Sequence, residues 1–395
     1  MLLRDHLLRA AQADRALPTG GDESHRPGAA TGDAPVLEVE FLQWGDDSSC
    51  QVLATLGSVE LEYAALQRGV GVVDAANRGT ITLVGNDAVD LIDRIVTAKV
   101  QGLRNGQVVD AFLTDRTGRI VSDLRVIGGD GTVTLDLDWN DVSQVAAIIE
   151  SMLFAEDVRV AAEPSVYRLE LHGSQVGAML TGLCVAMPEL GEVVNGEIGG
   201  VSVRIARRDL LLVPGVSVVV SRDAVVQVWE AICSYGQTCD WPVRPVGWYA
   251  FNMARLEART PMWHVDFGPA NLPHETGLLG ERVSFTKGCY PGQEVVARME
   301  NLGHPKQVLR FAAMGRESLP IAGGHVLLPG ASVTDAPIGG VTSSAPSPMR
   351  GTEAICVAMI KWAHASPGTL LDFQSGTERW SAPVELVGAL ERGTC

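Results

Sequence analysis

Apolar and polar residues repeat with two different periods in the first two thirds of the chain. Alternation around Ile81 predicts a strand, and apolar residues at helical spacing predict a helix over residues 88–97, which Asn86 and Asp87 are placed to cap. Residues 108–114 and 120–126 predict a hairpin. Further strands are predicted at 132–137, 166–171, 200–205 and 210–220, and further helices at 142–152, 224–233 and 250–258. This order predicts an α+β fold, since it lacks a regular βαβ alternation.

The pattern changes at residue 305. Short strands are predicted between Gly, Pro and Ser turns, at 308–313, 324–328, 339–343 and 355–361. Such a run is typical of a small β-barrel. The sequence therefore predicts a mixed domain at 36–304 and a C-terminal β-barrel domain at 305–395. Before them, residues 1–35 are expected to form a short amphipathic helix over 1–17 and a mobile linker over 18–35, which is rich in Gly and Pro.

Composition narrows the function classes. The 395 residues can bury a large core, and the formal net charge of -16 argues against nonspecific binding of nucleic acid. No apolar run approaches the length of a membrane span, and the start of the chain lacks the long apolar region of a secretory signal. We therefore expect neither direct contact with nucleic acid nor a membrane partner.

The cysteines favour a reducing compartment. There are seven, an odd number, and the sequence has no Cys-x-x-Cys pair, so neither a disulfide framework nor a zinc site is indicated. The histidines are scattered, and the Gly-rich segments do not follow the dinucleotide-binding pattern. These observations predict a cytoplasmic protein without a metal site and without a flavin or nicotinamide domain.

One short turn carries candidate chemistry. Residues 287–294 read Lys-Gly-Cys-Tyr-Pro-Gly-Gln-Glu. Pro291 and Gly292 predict a tight turn, which would leave Cys289 exposed at its rim. Lys287 lies two residues before the thiol, and a nearby ammonium lowers the pKa of a thiol. The alternative is that Cys289 is a small buried hydrophobic residue, as most free cysteines are.

The same eight residues resemble the Lys-Gly-Cys-Tyr-x-Gly-Gln-Glu signature of the YgfZ-like folate-binding proteins, a branch of the glycine-cleavage T-protein (aminomethyltransferase) superfamily. The resemblance spans about residues 60–365, in order throughout. It implies a T-protein-like fold of two mixed α/β subdomains followed by a small β-barrel.

Other segments match the superfamily in part. Residues 118–124 resemble its hairpin motif, in which T-proteins carry paired aspartates, one of them catalytic; here the pair is Ser122-Asp123. Residues 244–258 resemble a superfamily helix and include Arg255 and Glu257. Two departures stand out: the acids of a Thr-Gly-Glu-x-Gly-x-Glu motif are missing from residues 212–219, and Ala-Lys replaces an acidic pair at residues 98–99.

The resemblance implies tetrahydrofolate as the ligand. A folate site needs a carboxylate for the pterin ring amines, apolar walls and a cation for the glutamate tail. The residues implied for ligand contact are Asp123, Arg255, Glu257 and Tyr290, and those implied for catalysis are Cys289, Lys287 and Asp123. A helix-surface or interdomain salt bridge is the alternative for Arg255 and Glu257.

Two hypotheses follow from the resemblance, beside a third option of a degenerate folate-fold protein with only a binding role. In the first, the chain is a YgfZ-like accessory protein that binds tetrahydrofolate and supports assembly or repair of iron–sulfur client proteins, including some that modify tRNA, with Cys289 as its working thiol. In the second, it is a folate-dependent enzyme that transfers an aminomethyl or one-carbon group, with Asp123 acting on the folate amine. The missing acids favour the first hypothesis, and the retained Asp123 favours the second.

Overall fold

The computed structural model describes residues 3–8, 39–46, 48–315, 319–332 and 335–388. Residues 3–8 are helical, and Leu3 and Leu7 are buried against the core of a neighbouring sheet. The linker predicted at 18–35 lies outside the described residues, as does most of the helix predicted over 1–17.

Strands and helices follow one another irregularly along the chain, as the predicted α+β class requires. The strands are β1 Val39–Gln43, β2 Gln51–Leu56, β3 Val70–Asp74, β4 Arg78–Val84, β5 Val108–Thr114, β6 Ile120–Gly129, β7 Thr132–Asp138, β8 Arg159–Ala162, β9 Val166–His172, β10 Val193–Ile198, β11 Val201–Arg207, β12 Gly215–Ser221, β13 Val243–Val246, β14 Gln307–Met314, β15 His325–Leu327, β16 Gly339–Ser347, β17 Glu353–Lys361, β18 Leu370–Ser375 and β19 Glu378–Leu386. The helices are α1 Val59–Arg68, α2 Ala88–Ile95, α3 Val142–Ser151, α4 Val176–Gly182, α5 Val225–Gly236, α6 Trp248–Glu257, α7 Leu279–Arg282 and α8 Gln293–Leu302. None of the described helices has both the length and the apolar character that crossing a membrane requires.

The first sheet has the strand order β5-β6-β7-β4-β8, and its strands are antiparallel. Helices α2 and α3 contribute to the apolar core that covers one of its faces. The predicted hairpin is confirmed as β5–β6. Its turn is held by Asp115, whose Oδ1 accepts hydrogen bonds from the backbone N–H of Thr117 at 2.8 Å and of Arg119 at 3.0 Å. Gly118 supplies the left-handed backbone that the turn needs, at φ +79°.

The second sheet has the order β10-β11-β12-β9-β3-β13. In β9, Leu169 and Leu171 lie in the apolar core that includes residues of α4 and α5. Because side chains alternate along a strand, Arg168, Glu170 and His172 point to the other face. They are nevertheless at most 5% exposed, since the first sheet approaches this face. The two sheets therefore enclose a buried charged layer.

The strands after residue 306 form a closed barrel in the order β14-β17-β16-β15-β18-β19, which confirms the predicted C-terminal barrel. Helix α6 packs against it through a shared apolar cluster that includes Leu256, Phe311 and Val357. Strands β18 and β19 were not among the predicted strands. The division of the chain at residues 304 and 305 stays a prediction.

Two local predictions were wrong. Asn86 and Asp87 do not cap α2 with their side chains, because both form hydrogen bonds with Asp157. The backbone N–H of Asp157 donates to Asp87 Oδ2, and the carboxylate of Asp157 accepts from Asn86 Nδ2, each at 2.8 Å. The strand predicted over 210–220 begins only at Gly215. Its start is fixed by a turn in which Asp209 Oδ1 accepts from the Gly215 N–H at 2.8 Å.

Candidate functional site

A cavity of about 510 Å³ lies among the two sheets, α6 and α7. Its apolar walls include Leu124, Phe251, Trp263 and Leu278. Its charged lining consists of Arg78, Asp110, Asp123, Arg125, Asp138, Arg207, Arg208, Asp209, Arg255, Glu281 and Arg282. A volume in the range of small-molecule sites, about 300–1,000 Å³, together with converging polar groups makes this the candidate binding site.

Asp123 reaches this cavity from β6. Its Oδ1 accepts a hydrogen bond from Arg282 Nε at 2.7 Å, while Oδ2 accepts none from the described residues. Burial raises the pKa of Asp123, and the nearby carboxylate of Asp110 adds to this effect, although the charge of Arg282 opposes it. The structure therefore gives Asp123 one oriented oxygen and one oxygen available to a ligand.

Asp110 lies beside Asp123 and pairs with two arginines. Arg125 Nε donates to its Oδ1 at 3.0 Å, and Arg282 Nη1 lies 3.8 Å from its Oδ2. Burial opposes ionisation of Asp110, but the charges of Arg125 and Arg282 outweigh it and hold its pKa below the usual value. The two neighbouring carboxylates thus differ: Asp110 stays ionised, while Asp123 holds a proton more readily.

A second ion cluster lies in the charged layer between the sheets. Asp136 is 2.8 Å from Arg78, 3.4 Å from Arg168 and 3.9 Å from Arg208. Burial alone would raise the pKa of Asp136, but these arginines hold it well below its usual range. Arg208 also pairs with Glu170 at 2.7 Å. This cluster joins the first sheet to the second and fixes the guanidinium groups that line the cavity.

Arg255, predicted as a ligand residue, lines the cavity but is held by the protein. Its Nη1 donates to Asp266 Oδ2 at 2.6 Å and to the Thr260 carbonyl at 3.1 Å, and its Nε donates to Asn252 Oδ1 at 2.9 Å. The side chain is 1% exposed, and only Nη2 lacks a partner among the described residues. The ion pair expected as the alternative role is therefore present, and only the NH2 group of Nη2 is left for a ligand.

Glu257 is not among the described residues that line the cavity. Tyr63 Oη donates to its Oε2 at 2.6 Å, while Ser347 Oγ and the Met349 N–H donate to its Oε1 at 2.6 and 3.0 Å. Ser347 ends the barrel strand β16 and Met349 follows it, so Glu257 connects α6 to the barrel. This geometry supports a structural role and does not support the predicted contact with a ligand in the cavity.

Lys287 also has a structural role. Its ammonium donates to the carbonyl groups of Asp93, Val96 and Ala98, the last two at 2.7 and 2.9 Å. A cation at the C-terminus of a helix stabilises it, and here that helix is α2. All three N–H bonds are thereby occupied, so the geometry does not support the prediction that Lys287 activates Cys289.

The other residues of the turn agree better with what the sequence predicts. Gly292 has φ +77°, and a Cβ there would lie 2.2 Å from the Asp115 carbonyl oxygen, so the turn docks on the tip of the β5–β6 hairpin. Cys289 is exposed, as predicted. Tyr290 is buried, which raises its pKa to about 12, and its hydroxyl has no partner among the described residues. Neither Cys289 nor Tyr290 lines the cavity in the described part of the chain.

Sequence reasoning missed the clamp that holds one wall of the cavity. Asp141, 4% exposed, accepts hydrogen bonds from Ser122 Oγ and Trp263 Nε1, each at 2.7 Å, and from His264 Nε2 at 2.8 Å. Ser122 precedes Asp123 in β6, and Trp263 lines the cavity. Asp141 therefore ties the wall to the strand that carries Asp123. The sequence did contain one signal for this clamp, which is that Ser122 stands where T-proteins have the first of two aspartates. A carboxylate at that position would face the carboxylate of Asp141.

Among the described residues, no group of three or more His, Cys, Asp or Glu side chains is arranged to hold a metal ion.

The fold is that of a T-protein-like protein. Residues 39–287 match the family model described as the GCVT N-terminal domain, and because this is more than half of the chain, the chain belongs to that family. Among curated relatives, the aminomethyltransferase of Alkaliphilus oremlandii is 25% identical over 346 residues, covering 85% of this chain and 89% of that protein. The aminomethyltransferase of Streptomyces coelicolor is 26% identical over 324 residues, covering 79% and 84%.

A solved structure supports the fold. The glycine cleavage system aminomethyltransferase T from Bartonella henselae superposes with a TM-score of 0.77 at 18% identity, covering 90% of this chain and 94% of that one. At this level of identity the likeness concerns the fold, and it confirms the predicted arrangement of mixed α/β sheets with a C-terminal barrel.

Proposed function

We propose that the cavity binds tetrahydrofolate and that the chain is a folate-dependent transferase of the aminomethyltransferase kind, the alternative that the sequence left open. The observation that carries this proposal is Asp123, which presents a free carboxylate oxygen to a cavity of suitable size. The names of the curated relatives favour the same activity.

The residues present fit such a ligand. The free Oδ2 of Asp123 is an acceptor for the ring amines of a pterin, and Phe251 and Trp263 provide aromatic walls. Arg125 Nη1 is buried without a partner among the described residues, so it is available to a carboxylate of the ligand. Tetrahydrofolate supplies the amine that carries the one-carbon group.

The side chains prepare Asp123 for proton transfer. The pKa of Asp123 is raised above that of an exposed aspartate, and so lies closer to neutral pH. This suits a group that accepts and returns a proton. Arg282 orients the carboxylate through the 2.7 Å hydrogen bond. The Asp141 clamp holds Trp263 against the same strand, so the wall and the acid keep a fixed distance.

The binding claim is tested by anaerobic calorimetric titration of the full chain with tetrahydrofolate. Arg125→Gln should weaken binding about tenfold or more, the usual effect of losing a charge-assisted hydrogen bond. Arg159→Gln is the matched control, because Arg159 is exposed and lies outside the cavity. Absence of tetrahydrofolate binding to the unmodified chain would overturn the proposal.

A second candidate is the YgfZ-like accessory role, with iron–sulfur client proteins as partners, tRNA modification as a downstream effect and the cytoplasm as its location. The exposed Cys289 in the signature turn favours it. Its test is complementation of a strain that lacks its own YgfZ-like protein, read as the activity of an iron–sulfur enzyme. Cys289→Ser should abolish rescue, whereas Cys184→Ser, which changes another exposed thiol, should not. Full rescue by Cys289→Ser would remove this candidate.

A further inference from the structure

A second cavity, of about 490 Å³, lies over the second sheet at one end of β9, β11 and β12. Its polar lining consists of Ser165, Asn195, Ser202, Arg204 and Ser221, and Val166 and Val219 contribute apolar surface. Arg204 is the single charged residue among the described residues that line it. This differs from the central cavity, where every lining arginine has a carboxylate partner.

Arg204 lacks a partner. Among the described arginines that are buried or partly buried, it alone has a side chain that makes no hydrogen bond or ion pair with the protein. Burial lowers its pKa, which reflects the cost of keeping the charge there without compensation. A partly buried guanidinium without an acceptor is unfavourable unless an anion or water occupies the space beside it.

The sheet places a second cation on the same row. In the register of the strands, Asn195 pairs with Arg204, Arg204 with Val219, and Val219 with Arg168. Directly paired residues project from the same face, so both guanidinium groups lie on one side of the sheet. Burial lowers the pKa of Arg168 to about 10, and the positive charge of Arg204 contributes to that decrease. Arg168 is compensated by Asp136, which lies 3.4 Å away, so Arg204 carries the one charge of this row that has no carboxylate partner among the described residues.

The remaining polar groups around Arg204 are also available. The hydroxyls of Ser165, Ser202 and Ser221 and the side-chain amide of Asn195 form no hydrogen bond with the described residues. Hydroxyl and amide groups donate to anionic oxygens, and arginine does so with paired N–H groups. A tetrahedral oxyanion, with several acceptor oxygens, matches this set of donors better than a planar carboxylate.

We propose that this second cavity binds the phosphate group of a small molecule, with Arg204 as its anchor. The site is separate from the central cavity and does not depend on the proposed folate chemistry. Its volume is within the usual range of small-molecule sites, so it has room for an ester group attached to the phosphate.

The test is titration of the full chain with inorganic phosphate and with glycerol 3-phosphate at constant ionic strength, followed by calorimetry and by the methyl NMR signals of Val219. Both ligands contain the proposed group, and the tighter one identifies whether the free ion or the ester is preferred. Arg204→Gln should weaken binding at least about tenfold. Its melting temperature should not fall, because the guanidinium makes no hydrogen bond or ion pair with the described residues.

Two variants serve as comparisons. Arg159→Gln removes an equal charge outside the cavity and should leave binding unchanged. Glu197→Gln should strengthen binding, because Glu197 pairs with Ser202 across the strands and its charge repels an anion. The proposal is overturned if neither phosphate compound binds saturably, if Arg204→Gln and Arg159→Gln bind equally, or if acetate competes as well as phosphate.

Discussion

The central cavity and the signature turn are organised in opposite ways. In the cavity, charged side chains from distant parts of the sequence lie together. Asp123 and Arg282, which form a hydrogen bond, are separated by 159 positions in the sequence. In the turn, neighbours in sequence separate: Lys287 reaches into the end of α2, Tyr290 is buried, and Cys289 remains exposed. The residues of the signature turn therefore determine how the turn docks. The central cavity, by contrast, obtains its charged groups from residues that only the fold brings together.

The largest expected effect concerns the clamp beside the cavity. Ser122→Asp would place a second carboxylate against Asp141, where both positions are buried, and an uncompensated buried charge costs about 3–5 kcal/mol. The free energy of unfolding in urea should fall by that amount. Ser122→Ala, which removes only the hydrogen bond, should cost about 1–2 kcal/mol. If the aspartate variant is as stable as the original chain, Asp141 does not depend on a neutral neighbour.

The turn should depend on backbone geometry instead. Gly292→Ala combines a left-handed backbone with a clash against the Asp115 carbonyl, so we expect a loss of about 2–5 kcal/mol in unfolding free energy. Gly131→Ala is the matched control: φ is +63°, but a Cβ there meets nothing within 4 Å, and the expected loss is about 1–2 kcal/mol. Equal losses in the two variants would show that close docking of the turn is unimportant.

Substitution of Lys287 distinguishes a structural role of its side chain from activation of Cys289. Lys287→Met should lower the unfolding free energy by about 1–3 kcal/mol, because three carbonyl groups lose their donor. It should leave the alkylation rate of Cys289 unchanged, and Cys289 should react faster than the fully buried Cys356 in the same native sample. Slower labelling at unchanged stability would restore the activating role.

A smaller effect should appear in the pH dependence of stability. Burial opposes protonation of His264, but its hydrogen bond to Asp141 and the charge of Asp141 outweigh burial and raise the pKa. A raised folded pKa stabilises the protein below the unfolded value, about 6.5, and this contribution is lost as pH rises through the folded pKa. The stability difference between the original chain and His264→Asn should therefore shrink as pH rises. A difference that is constant with pH would contradict the account.

Much of the fold was predictable because local periods encode it. Alternation and the Asp115 turn gave the β5–β6 hairpin, and the change in pattern after residue 305 gave the barrel. Several elements were not predicted, among them strands β1, β2, β8 and β10 and helices α1 and α4.

The site was less predictable. Asp123 was found through a local motif, but its partner Arg282 belongs to no motif, and ion pairs between distant residues leave no periodic trace. Lys287 misled for the same reason, since nearness in sequence does not determine where a long side chain points.

The most direct test of the central claim compares the two regions in one assay. The rate of tetrahydrofolate-dependent aminomethyl transfer should be measured for the original chain, for Asp123→Asn and for Cys289→Ser under identical anaerobic conditions. We expect a decrease of about 100-fold or more for Asp123→Asn, the usual effect of removing a general base, and little change for Cys289→Ser. The opposite result, an active Asp123→Asn variant and an inactive Cys289→Ser variant, would place the chemistry at the turn and contradict the account.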